Sequence, residues 1–197
     1  MSRRVLFPTL LLVTFSAFLA YRSLQGQETA EAYTLSRGAQ QGKAVSPVAL
    51  NLKGKRPTLV FLGSYLVNAH TSCNSCHTCP SYRGIDPYKG LLPTDPTPVN
   101  TANFLSGGTP FLNGSIIAPS LTPDSSGKPA GLTYAQFKAA MQSGTSAHNA
   151  GHILQIMPWP VYRNMDEQDL RAIYQYLSSI PAAPSGAGQC TGPDQTR

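Results

Sequence analysis

Five consecutive residues carry the strongest chemical signal in this chain: Cys73-Asn74-Ser75-Cys76-His77. The pattern C-x-x-C-H reads as a c-type haem attachment site. Two thiols three residues apart can each bond one vinyl group on the same porphyrin edge. The adjacent histidine then lies beneath the iron and supplies an axial nitrogen. Competing uses of C-x-x-C are a zinc site, which needs a second ligand pair, and a redox dithiol, which belongs in a βαβ context that this sequence lacks. Cys76-His77-Thr78-Cys79 repeats the spacing but is followed by Pro80, so it offers no adjacent histidine and the register falls on Cys73 and Cys76. The motif occurs once, which implies one haem c.

An iron so held needs a sixth ligand, and the candidates are His70, His148, His152, Met141, Met157 and Met165. His70 precedes the motif on the same predicted helix, and Met141 belongs to a predicted buried helical face. Met157 stands in Gln155-Ile156-Met157-Pro158-Trp159-Pro160, where two prolines forbid a helix and stiffen the loop. It follows His77 by 80 residues, enough chain to wrap a cofactor. Met157 is therefore the expected partner of His77, with His152 as the alternative. A methionine ligand raises the potential relative to histidine. Trp159, the sole tryptophan, reads equally as a core aromatic or as a haem-packing ring whose N–H reaches a propionate or a carbonyl. Tyr65, Tyr82, Tyr88, Phe111 and Tyr162 are further candidates to line a crevice.

The elements that must position these residues are mostly helical. Pro57 opens a helix with Leu59, Leu62, Leu66 and Val67 on one face, expected to reach about His70. Thr133-Tyr134-Ala135-Gln136 is a capping box for a second helix ending near Gly144. Asp166 caps a third, with Glu167 and Asp169 in its first turn and an apolar stripe of Leu170, Ile173, Tyr174, Leu177 and Ile180 before Pro181. Between the first two helices, residues 78–131 hold nine prolines and no long periodic segment. A connection that long is normally functional. Within it, Asn113-Gly114 between Pro110-Phe111-Leu112 and Ser115-Ile116-Ile117 predicts a hairpin with a two-residue turn.

Residues 1–26 read as a signal peptide or an uncleaved membrane anchor. Arg3 and Arg4 precede a mostly apolar run, Val5–Tyr21, of 17 residues. Either reading puts the folded part in the periplasm, soluble or anchored to the inner membrane. Residues 27–56 are polar and broken, and read as a linker; 57–182 form the domain and 183–197 a loose tail. The net charge is +6; without Arg3, Arg4 and Arg22 it is +3, and two ionised propionates would remove about 2 more. The basic residues are scattered without interleaved aromatics, which argues against a nucleic-acid partner. In an oxidising compartment, the two cysteines left over, Cys79 and Cys190, are expected to form a disulfide.

The order of motif, late methionine loop and C-terminal helix resembles class I cytochrome c, here with a long loop-rich insertion and a small β-hairpin. More narrowly, Gly63-Ser64-Tyr65-Leu66-Val67-Asn68, Cys76-His77-Thr78, Leu105-Ser106-Gly107-Gly108, Leu121-Thr122-Pro123-Asp124, and Met157-Pro158-Trp159 followed by Asp169-Leu170-Arg171-Ala172-Ile173 are similar to bacterial monohaem cytochromes related to the cytochrome subunits of membrane dehydrogenases. The resemblance covers about residues 57–182. It implies that His77 and Met157 are the axial pair, and that the first and last helices cross near Gly63 with Tyr174 or Tyr176. The spacing from Gly63 to Cys73 is longer than the family's. The implied activity is electron transfer, not catalysis, with a dehydrogenase as donor and an oxidase or another cytochrome as acceptor. A stable subunit of a dehydrogenase or oxidase complex is the alternative; a haem enzyme with an open iron site is the more distant one.

Overall fold

A computed structural model describes residues 21–22, 37–83 and 99–183. The chain divides into two compact units, Met1–Arg37 and Gly38–Arg197. Of the first, only Tyr21, Arg22 and Arg37 are described, so the leader lies outside the described residues, as do 84–98 with Tyr88, and the tail with Cys190. Among the described residues no helix is long and apolar enough to cross a membrane.

The described elements are helix α1 over residues 37–45, α2 (Pro57–Tyr65), continued by a π-helical turn (Leu66–His70), α3 (Asn74–His77), a 3₁₀ turn (Thr101–Asn103), strands β1 (Pro110–Phe111) and β2 (Ile116–Ile117), α4 (Tyr134–Ser143), α5 (Trp159–Tyr162) and α6 (Glu167–Leu177). The protein is thus mostly helical with one small antiparallel sheet.

The core is the crossing of α2 on α6. Val60, Val67, Leu170, Ala172, Ile173, Tyr176 and Leu177 are all at most 1% exposed there. A Cβ on Gly63 would stand 1.9 Å from the Ala172 carbonyl oxygen and 2.7 Å from the Tyr176 Cβ, so the two helices meet backbone to backbone. The aromatic partner at the crossing is Tyr176. Tyr174 packs edge-on to Tyr134 instead and donates its hydroxyl to the Leu132 carbonyl. The buried Tyr176 hydroxyl accepts from Asn68 Nδ2 at 3.1 Å, which satisfies a polar group that burial would otherwise penalise. Asn68 belongs to the π-helical turn, whose closing bond runs from Thr71 N–H to the Leu66 carbonyl. A π turn holds about one residue more than an α turn. It therefore takes up chain between Gly63 and Cys73 without moving the crossing.

Local chemistry sets the ends of α4 and α6. Thr133 and Gln136 cap each other reciprocally at the start of α4, and Gly144 ends it at φ +68°. The Asp166 carboxylate accepts from the Asp169 N–H at 2.8 Å, and Glu167 and Asp169 occupy the first turn of α6.

Three expectations differ from the structure. Pro158 and Pro160 do not forbid a helix: Pro158 is the N-cap of α5 and Pro160 lies in its first turn, where the missing N–H costs no helical bond. Part of the segment read as a linker, residues 37–45, is helical and packs on α2. A Cβ on Gly42 would stand 1.6 Å from the Phe61 carbonyl oxygen, so α1 is seated through small residues and not through an apolar stripe. The hairpin connection is four residues long, since Phe111 pairs with Ile116 and Pro110 with Ile117. Leu112, Asn113 and Gly114 all take positive φ, which widens the turn beyond the Asn-Gly pair.

The long connection after the motif is held by scattered polar bonds. Thr78 Oγ1 accepts from the Leu105 N–H, and Asn103 Nδ2 and Asn100 Nδ2 donate to the carbonyls of Cys79 and Pro80. Such bonds tie loop backbone to loop backbone without periodic structure.

Candidate haem-binding site

Cys73 caps α3 and His77 ends it, so both thiols and the imidazole lie within one helical turn. The Thr71 hydroxyl lies 3.1 Å from Cys73 Sγ. Cys73 and Cys76 are free thiols, and burial pushes both above the ordinary thiol range. Cys79 is buried and is not among the free thiols.

His77 Nδ1 lies 2.8 Å from the Pro119 carbonyl oxygen. A carbonyl only accepts, so Nδ1 carries the proton and Nε2 keeps its lone pair for a metal. Burial lowers the imidazole pKa, opposed by the Pro119 bond, which favours the neutral ring that a metal requires. The position of Pro119 is itself set by the motif's neighbourhood. Gly107 N–H donates to the His77 carbonyl at 2.7 Å, and Gly107 sits at φ +81°. A Cβ there would stand 2.6 Å from the Pro119 carbonyl carbon, so only glycine lets the 118–120 stretch of chain come this close.

Met157 is half-buried on the loop between α4 and α5. Its neighbour Ile156 has φ +70°, an unusual conformation for a β-branched residue and one that costs about 1–3 kcal/mol. The surrounding bonds impose it. Leu154 N–H donates to the Gly144 carbonyl at 2.7 Å, and the Trp159 indole N–H donates to the Leu154 carbonyl at 3.2 Å. The indole packs over Gly144, where a Cβ would stand 2.5 Å from Nε1. Trp159 thus braces its own loop, with a backbone carbonyl as its partner.

Tyr162 brings that loop to the motif. Its hydroxyl donates to the Thr71 carbonyl at 3.0 Å, and its pKa is raised to about 12 by burial and by the neighbouring Cys73 and Cys76. The structure therefore places Cys73, Cys76 and His77 together and draws the chain five residues beyond Met157 against them.

The other candidates sit elsewhere. Met141 is buried in α4 at 4% exposure. His70 stacks edge-on against Tyr65, and His148 and His152 are exposed. Among the described residues no three His, Cys, Asp or Glu side chains converge as for a metal ion, the arrangement a zinc reading needs.

These residues fit a covalently bound haem. His77 is half-buried at the end of α3, with Nδ1 engaged by the Pro119 carbonyl. The loop carrying Met157 also exposes Ile153 and Ile156, at 48% and 46%. The Pro119 carbonyl and the Tyr162 tie carry no recognisable sequence signal as partners.

No family model and no solved structure matches the chain. It is 30% identical over 119 residues to a gluconate 2-dehydrogenase cytochrome c subunit of Pantoea cypripedii, covering 60% of this chain and 22% of that one. It is 32% identical over 131 residues to the cytochrome c subunit of a quinone alcohol dehydrogenase of Gluconacetobacter polyoxogenes, covering 66% of this chain and 26% of that one. The corresponding cytochrome c subunit of Gluconobacter oxydans is 30% identical over 129 residues, covering 64% of this chain and 25% of that one. The chain spans about a quarter of the length of the cytochrome subunits it matches. It is related to cytochrome c subunits of dehydrogenases, the electron-carrying components of such enzymes and not their catalysts.

Proposed function

We propose that this chain is a single-haem electron carrier of the class I type, with Cys73 and Cys76 as attachment points and His77 and Met157 as axial ligands. The observation that carries the reading is the His77–Pro119 bond, which fixes the imidazole tautomer and leaves Nε2 available beside two free thiols on the same turn. Bound haem would supply one-electron chemistry between ferrous and ferric iron. The chain's own residues would hold the imidazole, keep the methionine loop rigid through Trp159 and Ile156, and shield the site with apolar side chains. With His77 and Met157 both holding the iron, the site would transfer electrons and would leave no open position for a substrate.

The kinship with dehydrogenase cytochrome subunits supports a dehydrogenase as electron donor, and a stable place in such a complex as the second reading. An oxidase or another cytochrome would be the acceptor. We place the protein in the periplasm, soluble or held at the inner membrane by its N-terminus, and propose that Cys79 pairs with Cys190 there. The domain proper would extend from α1, which packs on α2, through residue 182.

Mass spectrometry of the denatured protein, made with a cytochrome maturation system, tests attachment: one haem should remain bound, and loss of all haem in acid acetone would end the proposal. Ferric protein should show the weak near-infrared band of iron–sulfur bonding, and Met157→Ala should abolish it and lower the potential. Persistence of the band in that variant would show that another ligand is used. Non-reducing peptide mapping decides the Cys79–Cys190 bridge.

A further inference from the structure

Away from the haem-binding residues, a cavity of about 230 Å³ opens between α2, α4 and α6. Its walls are Gly54, Lys55 and Arg56 from the turn that precedes α2, Leu59 from α2, Tyr134 from α4, and Arg171, Tyr174 and Gln175 from α6. None of these belongs to the attachment motif, the Met157 loop or the Pro119 segment. Three of the eight are cations and none is a carboxylate.

These cations have little opposite charge to meet. Lys55 Nζ donates to the Ser178 carbonyl and to Ser179 Oγ, both neutral acceptors, and burial lowers its pKa. Among the described residues neither Lys55 nor Arg56 is in an ion pair. Arg171 lies over the Tyr134 ring, 4.5 Å from its centroid, with one guanidinium nitrogen on Glu167. Glu167 also receives Lys138 at 2.6 Å, so this one nearby carboxylate is shared between two cations. The Tyr134 hydroxyl is buried with no hydrogen bond inside the normal geometric limits, and the Glu167 carboxylate lies near enough to add to the rise that burial gives its pKa. A buried donor left unmade is costly, and native structures satisfy such groups with water, an ion or a ligand.

We propose that this cavity binds a small oxyanion, a phosphate or a carboxylate, held by Arg56, Arg171 and Lys55 with the Tyr134 hydroxyl as a neutral donor. The volume sets the size class, since pockets for drug-sized ligands run from about 300 to 1,000 Å³. Guanidinium groups suit the chemistry because their paired N–H donors match the edge of a carboxylate or phosphate. The high pKa of Tyr134, pushed up to about 12 mainly by burial, keeps that hydroxyl a donor at every physiological pH.

The test is a titration of the ferrous holo-protein with inorganic phosphate, followed by amide chemical shifts at constant ionic strength, with succinate as a parallel arm. The expected result is saturable shifts confined to the residues around Arg56, Tyr134 and Arg171. Arg56→Gln removes an exposed side chain and should weaken binding at least ten-fold, about the effect of losing one charged hydrogen bond. Tyr134→Phe should weaken it several-fold. Saturation by succinate but not phosphate would assign the site to carboxylates, and the reverse to phosphate. Shifts linear in concentration, or equal in wild type and Arg56→Gln, would overturn the site. Haem attachment and the near-infrared band are independent of this outcome, so failure here leaves the electron-carrier reading intact.

Discussion

Replacing Gly63 by alanine puts a methyl group where the Ala172 carbonyl already stands. The added Cβ would lie 1.9 Å from that oxygen and 2.7 Å from the Tyr176 Cβ, while real Cβ contacts essentially never fall below 3.0 Å. Helices α2 and α6 must then part by about 1 Å, and no side chain can rotate away because the obstacle is backbone. A gap of that size forfeits roughly a quarter to a half of each dispersion contact across it. The contacts at stake belong to fully buried side chains, Val60, Leu170, Ile173 and Leu177 among them. Overpacking of this kind typically costs about 1–3 kcal/mol, and rigid neighbours put Gly63 at the upper end. Alanine in a helix interior returns about 1 kcal/mol. The net loss is therefore about 2 kcal/mol. At about 2–4 °C per kcal/mol for a domain of this size, Tm should fall by roughly 4–8 °C. Thermal unfolding of the holo-protein, followed by far-ultraviolet circular dichroism, measures it. A Tm equal to or above wild type would show that the crossing can relax, and the account of the core would be wrong.

Gly107→Ala combines a positive φ with a 2.6 Å approach to the Pro119 carbonyl carbon. It should destabilise by about 2 kcal/mol or more and displace the acceptor of His77, shifting the haem methyl resonances of the ferric protein; unchanged resonances would refute the positioning role. Tyr162→Phe deletes the bond to the Thr71 carbonyl and should cost about 1 kcal/mol, with faster loss of the near-infrared band on mild heating; a band as heat-stable as wild type would show the tie to be idle. The Asp124 carboxyl accepts from the Lys128 and Ser126 N–H groups and the Ser126 hydroxyl, bonds that hold it below the usual carboxylate range. A folded pKa below the unfolded one means the unfolded chain binds protons more readily. Its contribution is therefore present above the ordinary carboxylate pKa and is lost as pH falls through the lowered value. The Lys128 and Ser126 amide shifts should hold steady down to the ordinary range and change only below it; a transition at or above that range would contradict the bonding.

The attachment motif and the caps of α4 and α6 are local chemistry, complete within five residues, and the sequence alone determined them. Thr133 with Gln136 and Asp166 with Asp169 need no distant partner to form. What only the tertiary structure decided is where separate segments meet. Helix α1 was not legible because Gly38 and Gly42 seat it by the absence of side chains, and an absence makes no apolar period. Tyr176 and Tyr174 are both helical tyrosines, and only the crossing shows that Tyr176 faces Gly63. The hairpin register depended on Leu112 adopting positive φ, which no propensity favours. The acceptor that orients His77 is a backbone carbonyl 42 residues along the chain. Every residue has a carbonyl, so side-chain identity could not single out Pro119; the fold chose it by bringing that segment against Gly107.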